Sequence, residues 1–136
     1  MLFRSIAIEQ LGKYNQFLEQ RFRQVALYNE LLSEIELVKI PHSHPKAEHV
    51  YQTYAVRLDE SINMNKIIGN LKNEGIQSQI GTYASHIQPV YNSMDSCPNS
   101  LRLFNSTLAL PLYYELKDSE IQFVVKTLKK LINNNK

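Results

Sequence analysis

The segment HVYQTYAVRL, residues 49–58, decides how this chain is expected to fold. Its β-branched and aromatic side chains are typical of a β-strand. Alternate side chains of a strand face opposite sides of a sheet, here Val50, Gln52, Tyr54 and Val56 on one side and Tyr51, Thr53, Ala55 and Arg57 on the other. The sequence therefore predicts a strand over residues 49–58, and the flanking segments must supply partner strands and covering helices.

Upstream of this strand, roughly 35 residues are predicted to form one long amphipathic helix. Gly12 is the single helix breaker within it and costs about 1 kcal/mol relative to alanine. No convincing N-cap precedes Leu2, which favours a helix that begins partway through a longer protein. Pro41 and Pro45 then bound a polar loop. The apolar residues that recur at helical spacing are Leu11, Tyr14, Leu18, Phe22, Val25, Tyr28, Leu32 and Ile35.

Directly downstream, a second helix and a second strand are expected. Asn63 or Ser61 is predicted to cap the helix at its start, and Gly75 suits the left-handed residue that follows its end. A short strand is expected over residues 76–80. The inner face of the helix is expected to carry Ile67, Ile68 and Leu71.

The C-terminal third is predicted to form a short helix, a strand and a last helix. Pro98 favours the first turn of the short helix, and residues 107–110 form a brief apolar run before Pro111. Asp118 is expected to cap the last helix. The apolar contacts expected from these helices are Leu101, Leu103, Phe104, Ile121, Val124, Val125, Leu128, Leu131 and Ile132. Together these elements predict a single domain over residues 1–136 of the α+β class, with a small antiparallel sheet of three to four strands covered by helices.

Composition and charge narrow the class of protein. The chain has 136 residues, of which 43% are hydrophobic and 21% charged, as in ordinary globular domains. Its net charge of +2, with scattered cations, argues against nucleic-acid binding. No stretch approaches the ~20 apolar residues of a membrane span, and no signal peptide is recognised. Cys97 is the single cysteine, which fits a reducing compartment and favours a cytoplasmic location.

Two groups of residues could form a reactive site, but the sequence favours neither. His42, His44 and His49 could bind a metal, but they lie in or beside a proline-bounded loop without a cysteine. Cys97 could act as a thiol nucleophile with His86 as its base, yet a lone cysteine is more often structural. No carboxylate pair, phosphate-binding glycine loop or pocket lysine is evident. The sequence therefore predicts no metal site and no catalytic residue.

The segment from Gly75 to Tyr91 carries the binding hypothesis. It ends in a polar, aromatic-rich loop without an apolar period, the kind of segment in which binding residues concentrate. Tyrosine offers both a stacking face and a hydroxyl, and histidine both donates and accepts hydrogen bonds near neutral pH. From the residues alone, a ligand-binding loop and a well-packed surface loop remain equally open. The candidate binding residues are Tyr83, His86, Gln88 and Tyr91.

Four segments, taken in order, resemble the C-terminal region of the DegT/DnrJ/StrS family of pyridoxal-phosphate-dependent sugar aminotransferases. These are AIEQLGKYNQFLEQRFRQVALYNELL, HVYQTYAVRL, LKNEGIQSQIGTYASHIQPVY and SLRLFNSTLALPLYYELKDSEIQFVVKTL. His86 takes the place of the second histidine of the family loop. Gly81, Thr82 and Tyr83 stand where many members carry His-Tyr. The resemblance covers almost the whole chain.

The resemblance implies the small C-terminal domain of an aminotransferase that moves an amino group from glutamate to a keto-sugar nucleotide. It implies that Tyr83, His86, Gln88 and Tyr91 contact the substrate. It also implies that the large domain, which supplies the Schiff-base lysine and the cradle for pyridoxal phosphate, is absent. We therefore expect that this chain alone binds no cofactor and is inactive, although the intact family uses pyridoxal phosphate.

The same resemblance suggests partners. The first is the missing large domain or a separate polypeptide that carries it, and the second is another copy of the chain, bound through an exposed first helix. The alternative function is a non-catalytic, free-standing interaction or regulatory module derived from the family.

Overall fold

The structure, a computed structural model, describes residues 2–91 and 95–134, with side chains from residue 6 onward. Within these ranges, five α-helices and four strands follow one another in the order α1, α2, β1, β2, α3, β3, α4, β4, α5, with a short 3-10 helix at Ser85–Ile87 before α4. The helices are α1 Leu2–Gly12, α2 Tyr14–Ser33, α3 Met64–Asn73, α4 Pro98–Ser106 and α5 Asp118–Asn133. The strands are β1 Val38–Lys39, β2 Tyr54–Leu58, β3 Gln79–Ile80 and β4 Thr107–Leu110.

The four strands form one antiparallel sheet in the order β1-β2-β4-β3. Tyr54 pairs with Leu110 and Val56 with Leu108, so these side chains share one face, here called the inner face. The intervening pairs, Ala55 with Ala109 and Arg57 with Thr107, lie on the opposite or outer face, as does Gln79. The predicted α+β class with a small antiparallel sheet is confirmed.

Helices α2, α3 and α5 cover the inner face. Tyr28 of α2 stacks on Tyr54 of β2, with ring centroids 4.7 Å apart and an interplanar angle of 17°. Both side chains are fully buried, and burial raises the pKa of each phenol well above the usual value. All six apolar residues predicted for the last helix are in the core, namely Ile121, Val124, Val125, Leu128, Leu131 and Ile132.

The prediction of one continuous N-terminal helix is wrong, because the helix is interrupted between Gly12 and Tyr14. At the interruption, the Lys13 N–H bonds to the carbonyl of Gln10, three residues back. Leu11 and Tyr14 are 70% and 47% exposed, so no packing there offsets the cost of glycine in a helix. The predicted apolar period is buried only from Val25 onward.

The central strand is also shorter than predicted, since it begins at Tyr54 rather than His49. Tyr51 has a φ of 47°, in the left-handed region that β-strands exclude. Its N–H donates to Nδ1 of His49 at 2.9 Å, which closes a local turn in place of a strand. The strand predicted over residues 76–80 is likewise restricted to Gln79–Ile80.

Three residues that were predicted to begin or end a helix do so. Asn63, not Ser61, caps α3, with Oδ1 accepting from the N–H of Lys66 at 3.0 Å. Gly75 follows α3 with a φ of 79°, and Pro98 begins α4. Leu101 and Leu103 of α4 were predicted to make apolar contacts, but each is 38% exposed.

The prediction that Asp118 caps the last helix is wrong. Lys117 occupies the cap position, and its N–H donates to the Glu120 carboxylate at 2.8 Å. Asp118 is the first helical residue and instead accepts from Nη1 of Arg23 at 2.7 and 2.8 Å. The ion pair joins α5 to α2, and no local sequence pattern could have shown it.

Candidate functional site

The candidate loop, residues 81–91, begins as an extension of β3. The N–H of Gly81 donates to the carbonyl of Thr107 at 2.6 Å, one step beyond the last strand pair. A Cβ at position 81 would lie 2.6 Å from Cγ2 of Thr107 and 3.2 Å from Cβ of Ala55. Both contacts belong to the outer face of the sheet. Glycine is therefore required because the loop passes this face at close range.

Two consecutive turns shape the rest of the loop. The 3-10 helix Ser85–Ile87 is closed by bonds from the N–H of Ile87 to Ala84 and from the N–H of Gln88 to Ser85, at 3.3 and 3.0 Å. The N–H of Tyr91 then donates to Gln88 at 3.0 Å. Ala84 is fully buried although both its neighbours are exposed. Local bonds and one buried methyl group thus hold the backbone in place.

The four predicted binding residues lie on this loop with their side chains at or near the surface. Tyr83 and Tyr91 are 64% and 65% exposed, and His86 and Gln88 are half-buried. The Tyr83 ring lies 6.2 Å from the ring of Phe104 in α4, at a tilt of 46°. None of these four side chains has a hydrogen bond to another residue in the described part of the chain. Their polar atoms are consequently available to a ligand.

The two reactive sites that sequence reasoning set aside gain no support in geometry. Nδ1 of His44 accepts from the N–H of Lys46, and Nδ1 of His49 accepts from Tyr51. Within residues 2–91 and 95–134, no group of three or more His, Cys, Asp or Glu side chains could hold a metal ion. Cys97 is half-buried directly before α4.

No described helix has the length and apolar content that crossing a bilayer would require.

Sequence reasoning missed a polar groove beside the N-terminal end of the loop. This groove, of about 460 Å³, is lined by residues 52–53, 77–79 and 109–112. Its lining comes from three short segments that are distant in sequence. No periodic pattern marks such a site, although the three glutamines Gln52, Gln77 and Gln79 could have suggested it.

The exposed first helix that the resemblance led us to expect carries apolar side chains on α1 and at the start of α2. Ile6, Ile8 and Leu11 are 53%, 68% and 70% exposed, and Tyr14 is 47% exposed. Ile6 and Ile8 are two residues apart and so point to different sides of the helix. A helix with apolar residues on several sides is typical of one enclosed by other protein. We call residues Ile6, Ile8, Leu11 and Tyr14 the α1 surface.

Comparison with known proteins gives a consistent result. The model of the DegT/DnrJ/EryC1/StrS aminotransferase family matches residues 3–129. The spore coat polysaccharide biosynthesis protein SpsC of Bacillus subtilis is 22% identical over 94% of this chain and 35% of its own length. The chain spans about a third of the length of the curated relatives that it matches.

Solved structures agree with the family match. The aminotransferase TlmJ from Streptoalloteichus hindustanus has a TM-score of 0.89 at 25% identity, over 97% of this chain and 36% of that one. The PLP form of Spr1654 from Streptococcus pneumoniae has a TM-score of 0.87 at 21% identity, over 95% of this chain and 34% of that one. The fold is therefore shared with about one third of each structure.

Proposed function

Because this chain belongs to the DegT/DnrJ/EryC1/StrS aminotransferase family, we propose that it is the small C-terminal domain of a sugar-nucleotide aminotransferase. The intact enzyme transfers an amino group from glutamate to a keto-sugar nucleotide, and pyridoxal phosphate supplies the electron sink for that chemistry. The part played by this chain is to hold a substrate-recognition loop at one wall of the active site. The match to a polysaccharide biosynthesis protein supports a sugar as the substrate.

The observation that carries this proposal is the loop of residues 81–91. Its backbone is held by the bond from Gly81 to Thr107 and by the turns that follow. Its side chains Tyr83, His86, Gln88 and Tyr91 have no hydrogen bond to another residue in the described part of the chain. A backbone that is already held by hydrogen bonds loses less conformational entropy when its side chains bind a ligand than an open loop would. Tyr83 and Tyr91 offer ring faces to the sugar or base, and His86 and Gln88 offer hydrogen bonds.

Loop variants should weaken the binding of a sugar nucleotide. We expect UDP-N-acetylglucosamine to shift the backbone amide signals of residues 81–91 in an NMR titration of the labelled chain. Tyr83→Ala and His86→Ala should each weaken binding by roughly 2- to 12-fold, the effect of one hydrogen bond or stacking contact. His42→Ala is the matched control, because His42 is exposed and lies outside the loop. Unchanged loop signals at saturating ligand would contradict the proposal.

The described lysines of this chain do not fit the Schiff-base role that the cofactor requires. A lysine that forms a Schiff base sits in an enclosed site, where desolvation lowers its pKa. All lysines in the described ranges, from Lys13 to Lys130, are exposed. No step of the reaction is therefore assigned to a lysine of this chain, and the cofactor site is assigned to the large domain.

It follows that the purified 136-residue chain should bind no pyridoxal phosphate stoichiometrically. After mixing with the cofactor and gel filtration, we expect no absorbance band in the internal-aldimine region. Borohydride reduction and peptide mapping separate a true site from scattered reaction at surface lysines. One modified lysine at full occupancy would sink this expectation.

The α1 surface supports a partner for this domain. Its four apolar side chains are each about half or more exposed, and such patches on isolated domains mark contacts with other protein. The proposed partner is the large domain, in the same chain or as a separate polypeptide. The same surface also favours the second candidate function, a free-standing module that pairs with a second copy of itself.

Size-exclusion chromatography tests this surface. Without a large domain, the chain should elute ahead of a monomer at high concentration, because association buries the α1 surface. Leu11→Lys should restore the monomer position. Leu103→Lys, also at an exposed leucine but on α4, should leave the elution unchanged. A wild-type chain that stays monomeric at every concentration argues against pairing with a second copy through this surface.

A further inference from the structure

The polar groove beside the loop has a composition that differs from the rest of the surface. It lies where β4 ends and before β2 begins, and it holds about 460 Å³. Its polar lining consists of Gln52, Thr53, Gln77, Ser78 and Gln79, and its other lining residues are apolar. No ionisable side chain of residues 2–91 and 95–134 lines the groove. None of the loop residues 81–91 lines it either, so the two sites are separate.

The side chains in the groove match a ligand rich in hydroxyl groups. Gln52, Gln77 and Gln79 are exposed, and none has a side-chain hydrogen bond within the described ranges. Each amide offers two donors and an acceptor, a set that can pair with two neighbouring hydroxyls. Ser78 is one of the lining residues, and its Oγ is buried and has no hydrogen-bond partner among the described residues. A buried hydroxyl without a partner gains a hydrogen bond when its rotamer turns toward a ligand in the groove.

One rim of the groove is formed by strained backbone. Tyr51 has a φ of 47°, rare for a bulky side chain, and Gln52 and Thr53 follow it directly. Tyr51 is held by a 3.0 Å hydrogen bond between its hydroxyl and Ser43, by the bond from its N–H to His49, and by its ring against Phe22. The turn keeps Gln52 and Thr53 out of the sheet and beside the end of β4. Strain that is held by several contacts is often found at binding sites.

A second groove continues from the first and adds aromatic surface. The two share Gln77 and Pro111, and the second is lined by Tyr113 and Phe123, which are 51% and 50% exposed. Amide side chains can bond the hydroxyl groups at the edge of a sugar ring, and aromatic faces can pack against the C–H groups on the face of the same ring. Phosphate and carboxylate ligands are disfavoured, because no cationic side chain of the described residues lines the polar groove to neutralise them.

We propose that this groove is a second binding site, and that it takes a neutral pyranose of a saccharide independently of the loop. The amides of Gln52 and Gln79 bind adjacent hydroxyls of the ring. The face of the ring turns toward Tyr113 when the saccharide extends into the second groove. The site goes beyond the proposed function, since it needs neither the nucleotide nor the large domain.

An NMR titration of the full chain with methyl α-D-glucopyranoside tests the proposal. We expect shifts at the backbone amides of residues 52–53 and 77–79 and at the side-chain amides of Gln52 and Gln79. The double variant Gln52→Ala, Gln79→Ala should weaken binding about 30-fold, as the loss of two neutral hydrogen bonds would. Both residues are exposed, so the variant should fold as the wild type does.

Three comparisons make the result decisive. Gln122→Ala removes an exposed glutamine on α5 and should leave the affinity unchanged. Tyr83→Ala should also leave it unchanged, which separates this site from the proposed loop. UDP without a sugar should not shift residues 52–53 or 77–79. A response to UDP, no response to the glycoside, or equal affinity in the double glutamine variant would each overturn the proposal.

Discussion

Gly81→Val is expected to destabilise the chain by about 3 kcal/mol, near the upper end of the cost of overpacking. The first added carbon would lie 2.6 Å from Cγ2 of Thr107 and 3.2 Å from both Cβ of Ala55 and the Thr107 carbonyl carbon. Thr107 and Ala55 belong to paired central strands, so neither can retreat without disturbing the sheet. Chemical denaturation monitored by circular dichroism measures the loss. Hydrogen exchange should show the largest loss of protection around residues 81–91.

Two further substitutions identify the clash as the cause. Gly81→Ala should be milder than Gly81→Val, and Thr107→Ser in the same chain should restore part of the stability because it removes Cγ2. Gly69→Ala is the matched control, since no atom lies within 4 Å of its Cβ position. It should stabilise α3 by about 1 kcal/mol. Equal stability of Gly81→Val and the wild type would show that the loop does not pass the sheet at this distance.

The elements that sequence predicts well are those set by local interactions. Asn63 caps α3 through a bond to a residue three positions ahead, and Gly75 ends it through its own φ. Pro98 begins α4 because its missing N–H is not needed there. The core face of α5 follows from spacing alone. In each case the deciding contact lies within a few residues along the chain, where sequence patterns carry the information.

The elements that sequence predicts badly depend on distant contacts. Asp118 looks like a helix cap but instead pairs with Arg23, 95 residues away. Tyr51 looks like a strand residue, yet its ring packs against Phe22 and its backbone turns. The apolar spacing of the N-terminal helix continues through Leu11, where no described side chain of the sheet covers it. Local propensity is overridden wherever packing decides the conformation.

The candidate sites divide in the same way. The loop of residues 81–91 is one continuous segment, so its tyrosines, histidine and glutamine were visible in sequence. The groove joins residues 52–53 to residues 77–79 and 109–112. Their proximity results from the pairing of β3 with β4 and of β2 with β4, which no single stretch of sequence reveals. A site assembled from several strand ends can be found only after the topology is known.

Tyr28→Ala should have the largest effect on stability, with a loss of about 3–5 kcal/mol in the free energy of unfolding. The Tyr28 side chain is fully buried and stacks on Tyr54 at the centre of the inner face. Its hydroxyl also donates to the carbonyl of Pro111 at 2.9 Å. Alanine would leave a cavity the size of the ring and an unpaired carbonyl. Urea denaturation of the two proteins measures the difference.

Tyr28→Phe separates the ring from the hydroxyl. Keeping the ring should limit the loss to about 1 kcal/mol, the net value of one hydrogen bond.

Burial raises the pKa of Tyr28, so its neutral phenol stabilises the folded chain in full below the ordinary pKa of about 10. This stabilisation is lost as the pH rises toward the raised pKa. Wild-type stability should therefore fall more steeply above pH ~10 than that of Tyr28→Phe, by up to about 1.4 kcal/mol per pH unit. Tyr54, whose pKa burial also raises, keeps some of the slope in the variant. Parallel slopes in the two proteins would mean that Tyr28 ionises before unfolding, and the phenol would then be less enclosed than its packing indicates.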